Sequence, residues 1–275
     1  MSGSARTFRT TALILTLGLI AIPACKRQTR RLASGIMRLA FRLRSHPYAA
    51  AAGNPVALVI APHQDDEVLG CGGLIARKRL EGFPVHVAFI TDGRGSHPGH
   101  PALTPSTIAA MREKEARDAL GRLGVESPAI HFLGAEDGTL AHLTCEQSAT
   151  IVGRLRELIV LVRPDEIFAA YRRDGSSEHE AGFSLLARAL QANAQPARLY
   201  EYPVWSWWNP LLLIRPLFNS RRVVRFDFKG DGSLKQDALA AYRSQFAPSP
   251  PWEKPLLPPD FTALFAKPEE YYFEI

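Results

Sequence analysis

The regular alternation of strand-like and helix-like segments after about residue 52 is the feature that most restricts the fold of this chain. A continuous apolar run, typical of a strand buried in a parallel sheet, occurs at residues 55–61, and further strands are predicted at residues 85–93, 129–134 and 166–171. Segments with helical periodicity follow them at residues 68–82, 104–124, 146–163 and 180–193. Parallel strands need crossover connections, and right-handed helical crossovers cover both faces of a sheet. The sequence therefore predicts a Rossmann-like α/β fold with a mostly parallel sheet and helices on both faces.

The remainder of the chain fits one domain at residues 52–275. Two further strands are predicted at residues 199–205 and 221–228, followed by a helix at 233–246 and a proline-rich stretch. The three cysteines are too few and too scattered for a disulfide framework. We expect Cys71 and Cys145 to be reduced, small core residues.

Residues 1–50 form a separate apolar and basic leader in this interpretation. The apolar run at 11–25 follows Arg6 and Arg9 and ends at Cys25, which resembles a signal peptide or a poor lipoprotein cleavage site. It is shorter than the ~20 apolar residues that a transmembrane helix needs. A basic cluster follows the run, so a retained anchor would leave the domain in the cytoplasm at the inner membrane. Export as a lipoprotein through Cys25 and a disordered basic leader are the alternatives.

The segment at residues 26–44 is typical of an amphipathic helix. Its large aliphatic residues recur at helical spacing, while its arginines fall largely on other faces; the aliphatic residues are Leu32, Ile36, Leu39 and Leu43. Such a helix suits an anionic membrane surface. The net charge of +6 likewise favours anionic partners. No nucleic-acid motif accompanies the charge, so nucleic acid is not an expected partner.

Polar residues follow each predicted strand of the alternating part. They are His63 to Glu67, Asp92 to His100, Glu136 with Asp137, and Arg172 to His179. In open α/β sheets the binding site forms beyond the carboxyl ends of the strands. We therefore expect these loops to converge on one edge of the sheet.

The stretch VIAPHQDDEVLGCGG at residues 59–73 predicts part of a metal site. If a helix begins near Asp65, His63 and Asp66 stand one turn apart and face the same point. A histidine from another loop would complete a zinc site with three protein ligands and an open position. His179 is the best candidate, because it follows the fourth strand and begins a helix. Helix capping explains one carboxylate in this stretch but not His63.

The motif PHQDDEVLGCGG resembles the signature of the PIG-L (LmbE-like) family of zinc-dependent N-acetylglucosaminyl deacetylases, which usually carries proline where Gln64 stands. The family's second motif is matched by DGSSEH at residues 174–179, although Ser176 stands where the family often has a histidine. Weaker similarity covers residues 133–140 and 235–245. The resemblance spans roughly residues 54–275.

The resemblance implies that His63, Asp66 and His179 bind the metal and that Asp65 is the catalytic carboxylate. The implied reaction removes the acetyl group from an N-acetylated amino sugar, by a metal-activated water with Asp65 as general base. Zn²⁺ is the expected cofactor, and other divalent transition metals such as iron or cobalt fit similar ligands. Because Ser176 replaces the family's histidine, this chain lacks an imidazole that is usually assigned an auxiliary acid or electrostatic role.

Four further residues are candidate substrate contacts. Arg94, Arg112 and Arg172 would meet an anionic part of the substrate, and Asp137 would hold a sugar hydroxyl. The alternatives are ordinary surface arginines and a turn aspartate. Glu67 is expected to support a metal ligand by a hydrogen bond.

The remaining histidines and the tryptophans leave several interpretations open. His97 and His100 belong to a substrate-covering loop or a plain solvated loop, His131 is expected to be structural, and His86 has no evident partner. Trp205, Trp207 and Trp208 would form a membrane-interface belt, a sugar-stacking platform or ordinary core.

Three function classes remain at this point. The first is a deacetylase acting on a small-molecule or lipid-linked amino sugar, with contact to a membrane surface. The second is an amidase acting on a non-sugar amide or thiol conjugate, which would use the same residues. The third is a non-catalytic, membrane-docked binding module, which Ser176 favours.

Overall fold

A single eight-stranded sheet organises the part of the chain that the computed structural model describes, namely residues 23–191, 197–218, 223–228 and 232–275. Its strands are β1 (His46–Pro47), β2 (Ala57–Ala61), β3 (Val85–Thr91), β4 (Ile130–Ala135), β5 (Glu166–Ala170), β6 (Arg198–Tyr202), β7 (Val223–Asp227) and β8 (Glu269–Glu274). The α-helices are α1 (Pro23–Arg44), α2 (Asp66–Leu80), α3 (Pro105–Arg122), α4 (Cys145–Val162), α5 (Ser177–Gln191), α6 (Trp205–Trp208), α7 (Ile214–Phe218), α8 (Gly232–Leu239), α9 (Arg243–Phe246) and α10 (Pro259–Thr262). Short 3₁₀ turns lie at Arg94–Ser96, Ser127–Ala129, Leu140–His142 and Pro210–Leu213.

The sheet is mostly parallel, as predicted. Its order is β1-β7-β8-β6-β5-β2-β3-β4, and β2, β3, β4, β5 and β6 all run in the same direction. The exception is β8, which lies between β6 and β7 and pairs antiparallel with both. The carboxyl ends of β2 to β6 therefore meet at one edge, where the polar loops were expected.

Both faces of the central strand are buried. In β2, Val59 belongs to a core cluster shared with α2 and α3, whereas Leu58 and Ile60 belong to the opposite cluster, shared with α4 and α5. Successive side chains of a strand point to opposite faces, so a strand covered on both sides reads as a continuous apolar run. This explains why the sequence of β2 contains no polar residue.

Helix α2 packs unusually close to its neighbours because of its glycines. A Cβ atom at Gly70 would lie 2.2 Å from Cδ2 of Tyr202, and one at Gly73 would lie 2.3 Å from Cδ1 of Phe228. The hydroxyl of Tyr202 donates a hydrogen bond to the carbonyl oxygen of Ile60, at 2.9 Å. The first turn of α2, which carries Asp66, is thus held against the end of β2.

Helix α1 confirms the predicted helix after Cys25, and it packs on the domain. Met37 and Phe41 belong to the same core cluster as α2, and the hydroxyl of Ser34 donates to the carbonyl oxygen of Trp207, at 2.8 Å. Residues 1–22, which include most of the apolar run, lie outside the described residues. Among the described helices, none combines the length and apolarity needed to cross a membrane.

Of the two cysteines expected in the core, one is buried and the other is exposed. Cys71 is a buried free thiol in α2, whereas Cys145 is exposed. The prediction of a core position was wrong for Cys145, because this residue is the first of α4 and lies at the surface, within the capping box that Thr144 and Gln147 form.

Candidate metal centre and active site

The loop between β2 and α2 is held in an uncommon backbone conformation. Asp65 has φ 133° and ψ −29°, although positive φ is rare outside glycine. Its N–H donates to Oε2 of Glu67 at 2.9 Å, and its carbonyl oxygen accepts from the N–H of Leu69 at 2.8 Å. Such local strain persists only where surrounding contacts impose it, and it clusters at functional sites.

This loop brings His63 and Asp66 together with His179 from the first turn of α5. Oδ2 of Asp66 lies 3.2 Å from Nδ1 of His63 and 3.2 Å from Nε2 of His179. Ligand atoms of the three residues all lie within 4.8 Å of one another. The structure thus assembles the three residues that the sequence pointed to, and their binding of a metal stays a prediction.

Each imidazole is backed by a carboxylate on its far side. Nε2 of His63 lies 3.1 Å from Oδ1 of Asp137, and Nδ1 of His179 lies 2.8 Å from Oδ2 of Asp174. A histidine that donates its outer N–H to a carboxylate presents the lone pair of its other nitrogen. Both lone pairs would then face Asp66.

A divalent metal fits this donor set. Nε2 of His179 is fully buried and lies 3.2 Å from Oδ2 of Asp66, but it makes no hydrogen bond within the described ranges. A buried polar atom without a partner is costly and calls for an explanation. Two imidazole nitrogens and one carboxylate oxygen are ligands that zinc prefers in proteins. A metal at this point would satisfy the orphaned nitrogen.

His63 also belongs to a second group of possible metal ligands, together with Asp137 and Glu178. Both of these residues place a carboxylate oxygen near His63. Their oxygens already accept backbone N–H groups, however: Glu178 accepts from Gly138 at 3.2 Å and Leu140 at 2.9 Å, and Asp137 accepts from Gly95 at 3.0 Å. Oδ2 of Asp66 also accepts a backbone N–H, that of His63 at 3.1 Å, so these bonds do not separate the two groups. Asp66 is favoured as the carboxylate ligand because its Oδ2 lies 3.2 Å from a nitrogen of each imidazole.

The cluster attracts positive charge. Burial lowers the pKa of His179, but Asp66 and Asp174 outweigh it and raise that pKa to about 9. Burial likewise opposes protonation of His63, yet hydrogen bonds to Asp137 and Asp66 leave its pKa well above the usual value. Burial raises the pKa of Asp66, but His179 and His63 outweigh this and lower it. Protons and a metal would compete for this site.

Asp65 stands beside the cluster in a different environment. Burial raises its pKa to about 7, although the neighbouring Arg112 opposes the shift. Nη2 of Arg112 lies 3.4 Å from Oδ2 of Asp65, and the same group donates to the carbonyl oxygen of Gln64. Burial also raises the pKa of Glu67 to about 8, despite the hydrogen bond that Tyr242 donates to it.

A cavity of about 540 Å³ opens over these residues. One part of its wall is polar and includes His63, Asp65, Asp66, Arg112, Asp137 and Ser176. The other part is apolar and includes Leu69, Val204, Trp205, Leu257 and Phe261. A volume of this size accommodates a sugar with a substituent.

The candidate substrate contacts separate into two groups. Arg112 and Asp137 line the cavity, and Asp137 also faces His63. Arg94 instead pairs with Asp92, with Nε and Oδ2 2.6 Å apart, and Arg172 pairs with Glu201, with Nε and Oε1 2.7 Å apart. Neither of these two arginines is among the residues lining the cavity.

The structure also places the tryptophans and the paired histidines. Of the tryptophans, Trp205 lines the cavity, Trp207 is buried in the core and Trp208 lies under the guanidinium of Arg30, 4.5 Å from the ring centroid. His97 and His100 are buried and pack against Trp252, at 5.6 and 4.8 Å between ring centroids. A plain solvated loop was therefore the wrong interpretation of these two histidines.

Sequence reasoning passed over Asp174, the residue that holds His179. Its carboxylate also accepts the N–H groups of Val204, Trp205 and Ser206, so it joins α5 to α6. The available signal was its position at the start of the DGSSEH motif. Gln64, at the position that is usually proline, ties the loop to β3, since its Nε2 donates to the carbonyl oxygen of Thr91 at 2.7 Å.

Comparison with known proteins identifies a matching family. The model of the PIG-L family, described as GlcNAc-PI de-N-acetylase, matches residues 58–190. The probable N-acetyl-alpha-D-glucosaminyl L-malate deacetylase 2 of Bacillus subtilis (strain 168) is 29% identical over 197 residues, which cover 68% of this chain and 82% of that protein.

Solved structures share the fold. The conserved protein TT1542 from Thermus thermophilus is 30% identical, with a TM-score of 0.51 and coverage of 69% of this chain and 79% of that one. The N,N'-diacetylchitobiose deacetylase from Pyrococcus horikoshii is 23% identical, with a TM-score of 0.51 and coverage of 70% and 71%. The residues matched by the family model include His63, Asp65, Asp66 and His179, and the chain belongs to the PIG-L family of deacetylases.

Proposed function

We propose that this protein removes the acetyl group from an N-acetylated amino sugar of the N-acetylglucosamine type. The observation that carries the proposal is the orphaned Nε2 of buried His179, which faces Asp66 and His63 beside the carboxylate of Asp65. The family description and the names of the Bacillus subtilis and Pyrococcus horikoshii relatives support an N-acetylglucosamine-type substrate.

His63, Asp66 and His179 would hold the metal, for which zinc is the first candidate. A divalent metal bound there would acidify a water molecule and polarise the amide carbonyl of the substrate. Asp137 and Asp174 would keep the two imidazoles in the orientation and tautomer that binding needs.

Asp65 would act as the general base. Its carboxylate lies at the cavity wall, outside the group of ligand atoms that surrounds Asp66. A base works best when its pKa is near the working pH, and the pKa of Asp65 is raised to about 7. In the proposed reaction Asp65 accepts a proton from the attacking water and returns it to the departing amine.

Arg112 would position Asp65. The guanidinium is 2% exposed and bridges the Asp65 carboxylate and the carbonyl oxygen of Gln64. Its Nε and Nη1 atoms have no partner within the described ranges. Because Arg112 also lines the cavity, it is the arginine we propose as a contact for an anionic part of the substrate.

The apolar wall indicates where the rest of the substrate would lie. Trp205 and Phe261 pack together with ring centroids 4.9 Å apart, and both line the cavity. An aromatic wall of this kind suits the apolar face of a sugar ring or an apolar aglycone. We therefore include lipid-linked amino sugars among the proposed substrates.

An acetate-release assay on a panel of N-acetyl sugars tests the proposal. The protein is purified with its metal quantified, and wild type is compared with Asp65→Asn on N-acetylglucosamine, N-acetylgalactosamine and simple N-acetyl amides that contain no sugar. Acetate release from the sugars that falls about 10²- to 10⁴-fold in the variant supports the proposal. Release from non-sugar amides alone would identify an amidase instead, and a metallated but inert wild type across the whole panel would contradict the proposal.

A further inference from the structure

Helix α1 has an exposed apolar stripe on the side away from the domain. Its residues advance by about 100° per position, which places the stripe opposite the buried Ser34, Met37 and Phe41. The stripe consists of Leu32, Ile36, Leu39 and Leu43, which are 66%, 60%, 58% and 78% exposed. The helix is therefore apolar on two sides, and the core of the domain uses one of them.

The segment packed beside α1 adds more exposed apolar surface. Residues 210–213 and α7 both contact α1. In this segment Leu211 is 73%, Ile214 43% and Phe218 70% exposed. The guanidinium of Arg44 lies 5.7 Å from the ring centroid of Phe218, so this phenylalanine is next to the C-terminal end of α1. We call the stripe, together with Leu211, Ile214 and Phe218, the α1 face.

Exposed arginines surround this apolar surface. Arg42 lies on α1 beside the stripe, Arg44 ends the helix and Arg215 lies in α7. Arg31 is also exposed on α1, but it is paired with Asp260. The sequence of α1 contains no acidic residue. A helical surface with aliphatic residues along its centre and arginines at its margin is the pattern of a protein that lies on a bilayer interface.

The charge also decides between a bilayer and a second copy of the chain. In a two-fold symmetric dimer the same patch meets itself, so the arginines of both copies would be brought together. An anionic bilayer, by contrast, supplies apolar tails for the leucines and phosphates for the arginines. The uncharged sequence at residues 11–22, immediately before α1, would favour the same surface.

We propose that the α1 face docks the protein on an anionic lipid bilayer. The N-terminal half of α1 also contacts the region of the cavity: Arg30 covers Trp208, which packs on Phe261 of the cavity wall with ring centroids 5.7 Å apart. Docking through α1 would hold the apolar wall of the cavity near the lipid surface. The docking itself does not depend on the proposed function, although it would favour a lipid-linked substrate.

Vesicle binding of the full chain tests this proposal. The probes are vesicles of phosphatidylcholine alone and of phosphatidylcholine with phosphatidylglycerol, and binding is measured by co-flotation. We expect binding to the anionic vesicles that weakens at high salt. Ile36→Ser combined with Leu39→Ser should reduce the partition coefficient by at least about tenfold, and Arg42→Glu with Arg44→Glu should reduce it by more than about fivefold for each arginine.

Matched variants on α4 provide the control. Val160 and Leu161 are also exposed apolar residues, at 57% and 74%, and they lie far along the chain on a different helix. Val160→Ser with Leu161→Ser should leave vesicle binding unchanged, and all variants should keep the wild-type melting temperature. Equal binding of wild type and α1 variants would overturn the proposal. So would a dimer in sedimentation that the α1 variants dissociate, combined with no vesicle binding.

Discussion

Asp174 holds His179 in place from within the core of the protein. Oδ2 of Asp174 lies 2.8 Å from Nδ1 of His179, and neither residue has exposed surface. The same carboxylate accepts the N–H groups of Val204 at 3.1 Å and Trp205 at 2.8 Å. The orientation of the imidazole is thus fixed by the chain segment that also forms the apolar wall of the cavity.

Replacing Asp174 with asparagine should weaken metal binding without touching a proposed ligand. The amide would bring an NH₂ group towards donors that now meet a carboxylate oxygen, so the imidazole of His179 would lose its fixed tautomer. We expect zinc affinity to fall about 10- to 100-fold and the melting temperature to drop. Chelator competition and calorimetry measure the two effects.

Ser206→Ala is the matched control for Asp174→Asn. The hydroxyl of Ser206 also donates to Asp174, but its removal leaves the carboxylate and the His179 contact intact. Zinc affinity within a few-fold of wild type is expected for this variant. If Asp174→Asn retains wild-type affinity, the orientation of His179 is not what sets metal binding.

Asp65→Asn should separate catalysis from metal content. Asparagine cannot accept the proton of water, so we expect kcat to fall about 10²- to 10⁴-fold while the metal stoichiometry stays that of wild type. His179→Ala provides the contrast, since it removes a proposed ligand and should empty the site. Acetate release together with elemental analysis checks both variants. Loss of metal in Asp65→Asn would place Asp65 among the ligands.

The central fold and the proposed ligands could be predicted because they depend on local patterns. The apolar run of β2 is continuous because both of its faces are buried, and His63 to Glu67 follow it directly. The carboxyl ends of neighbouring parallel strands must share an edge, so His179 was expected near His63 without knowledge of any contact. The ring centroids of these two histidines are 5.8 Å apart.

Long-range packing accounts for what the sequence did not reveal. Strand β8 enters the sheet antiparallel between β6 and β7, and nothing in residues 269–274 specifies those neighbours. The helical pattern of α1 identified the stripe through Leu32 and Leu43, but α1 is apolar on two sides. Packing of Phe41, which is completely buried among aromatic rings, determines which side of α1 points away from the domain.

Gly70→Ala should destabilise the protein, because the added methyl group has no room. Its Cβ would lie 2.2 Å from the ring of Tyr202, which is itself completely buried and bonded to Ile60. Overpacking of this kind costs about 1 to 3 kcal/mol. Chemical denaturation measures the change in the free energy of unfolding.

Gly153→Ala is the matched control within a helix. Gly153 lies in the middle of α4, and a Cβ there would meet no atom within 4 Å. Alanine should therefore stabilise the protein by about 0.5 to 1 kcal/mol, the ordinary helix preference over glycine. Equal effects of the two substitutions would show that close packing of α2 does not require glycine.

The neighbouring strands β3 and β4 contain a histidine pair that should make stability depend on pH. Nδ1 of His86 lies 3.1 Å from Nε2 of His131, and the rings are stacked at 5.4 Å. The sequence offered no partner for His86. Burial lowers the pKa of His86, as does Arg79, and burial together with His86 lowers the pKa of His131.

The sign of the dependence follows from these shifts. A folded-state pKa below the ordinary value of 6.5 means that the unfolded chain binds more protons as the pH falls. The stability that the pair contributes is therefore complete above about pH 6.5 and is lost as the pH falls through the lower pKa of the folded state. Between about pH 7.5 and pH 5, the melting temperature of His131→Gln should fall by less than that of wild type. His142→Gln, at an exposed position, should follow wild type. The pKa values of His63 and His179 are raised, so these residues affect the pH dependence in the opposite direction. The test therefore compares the variant with wild type, in which both are present. An equal fall in melting temperature for His131→Gln and wild type would show that the His86–His131 pair does not cause the pH dependence.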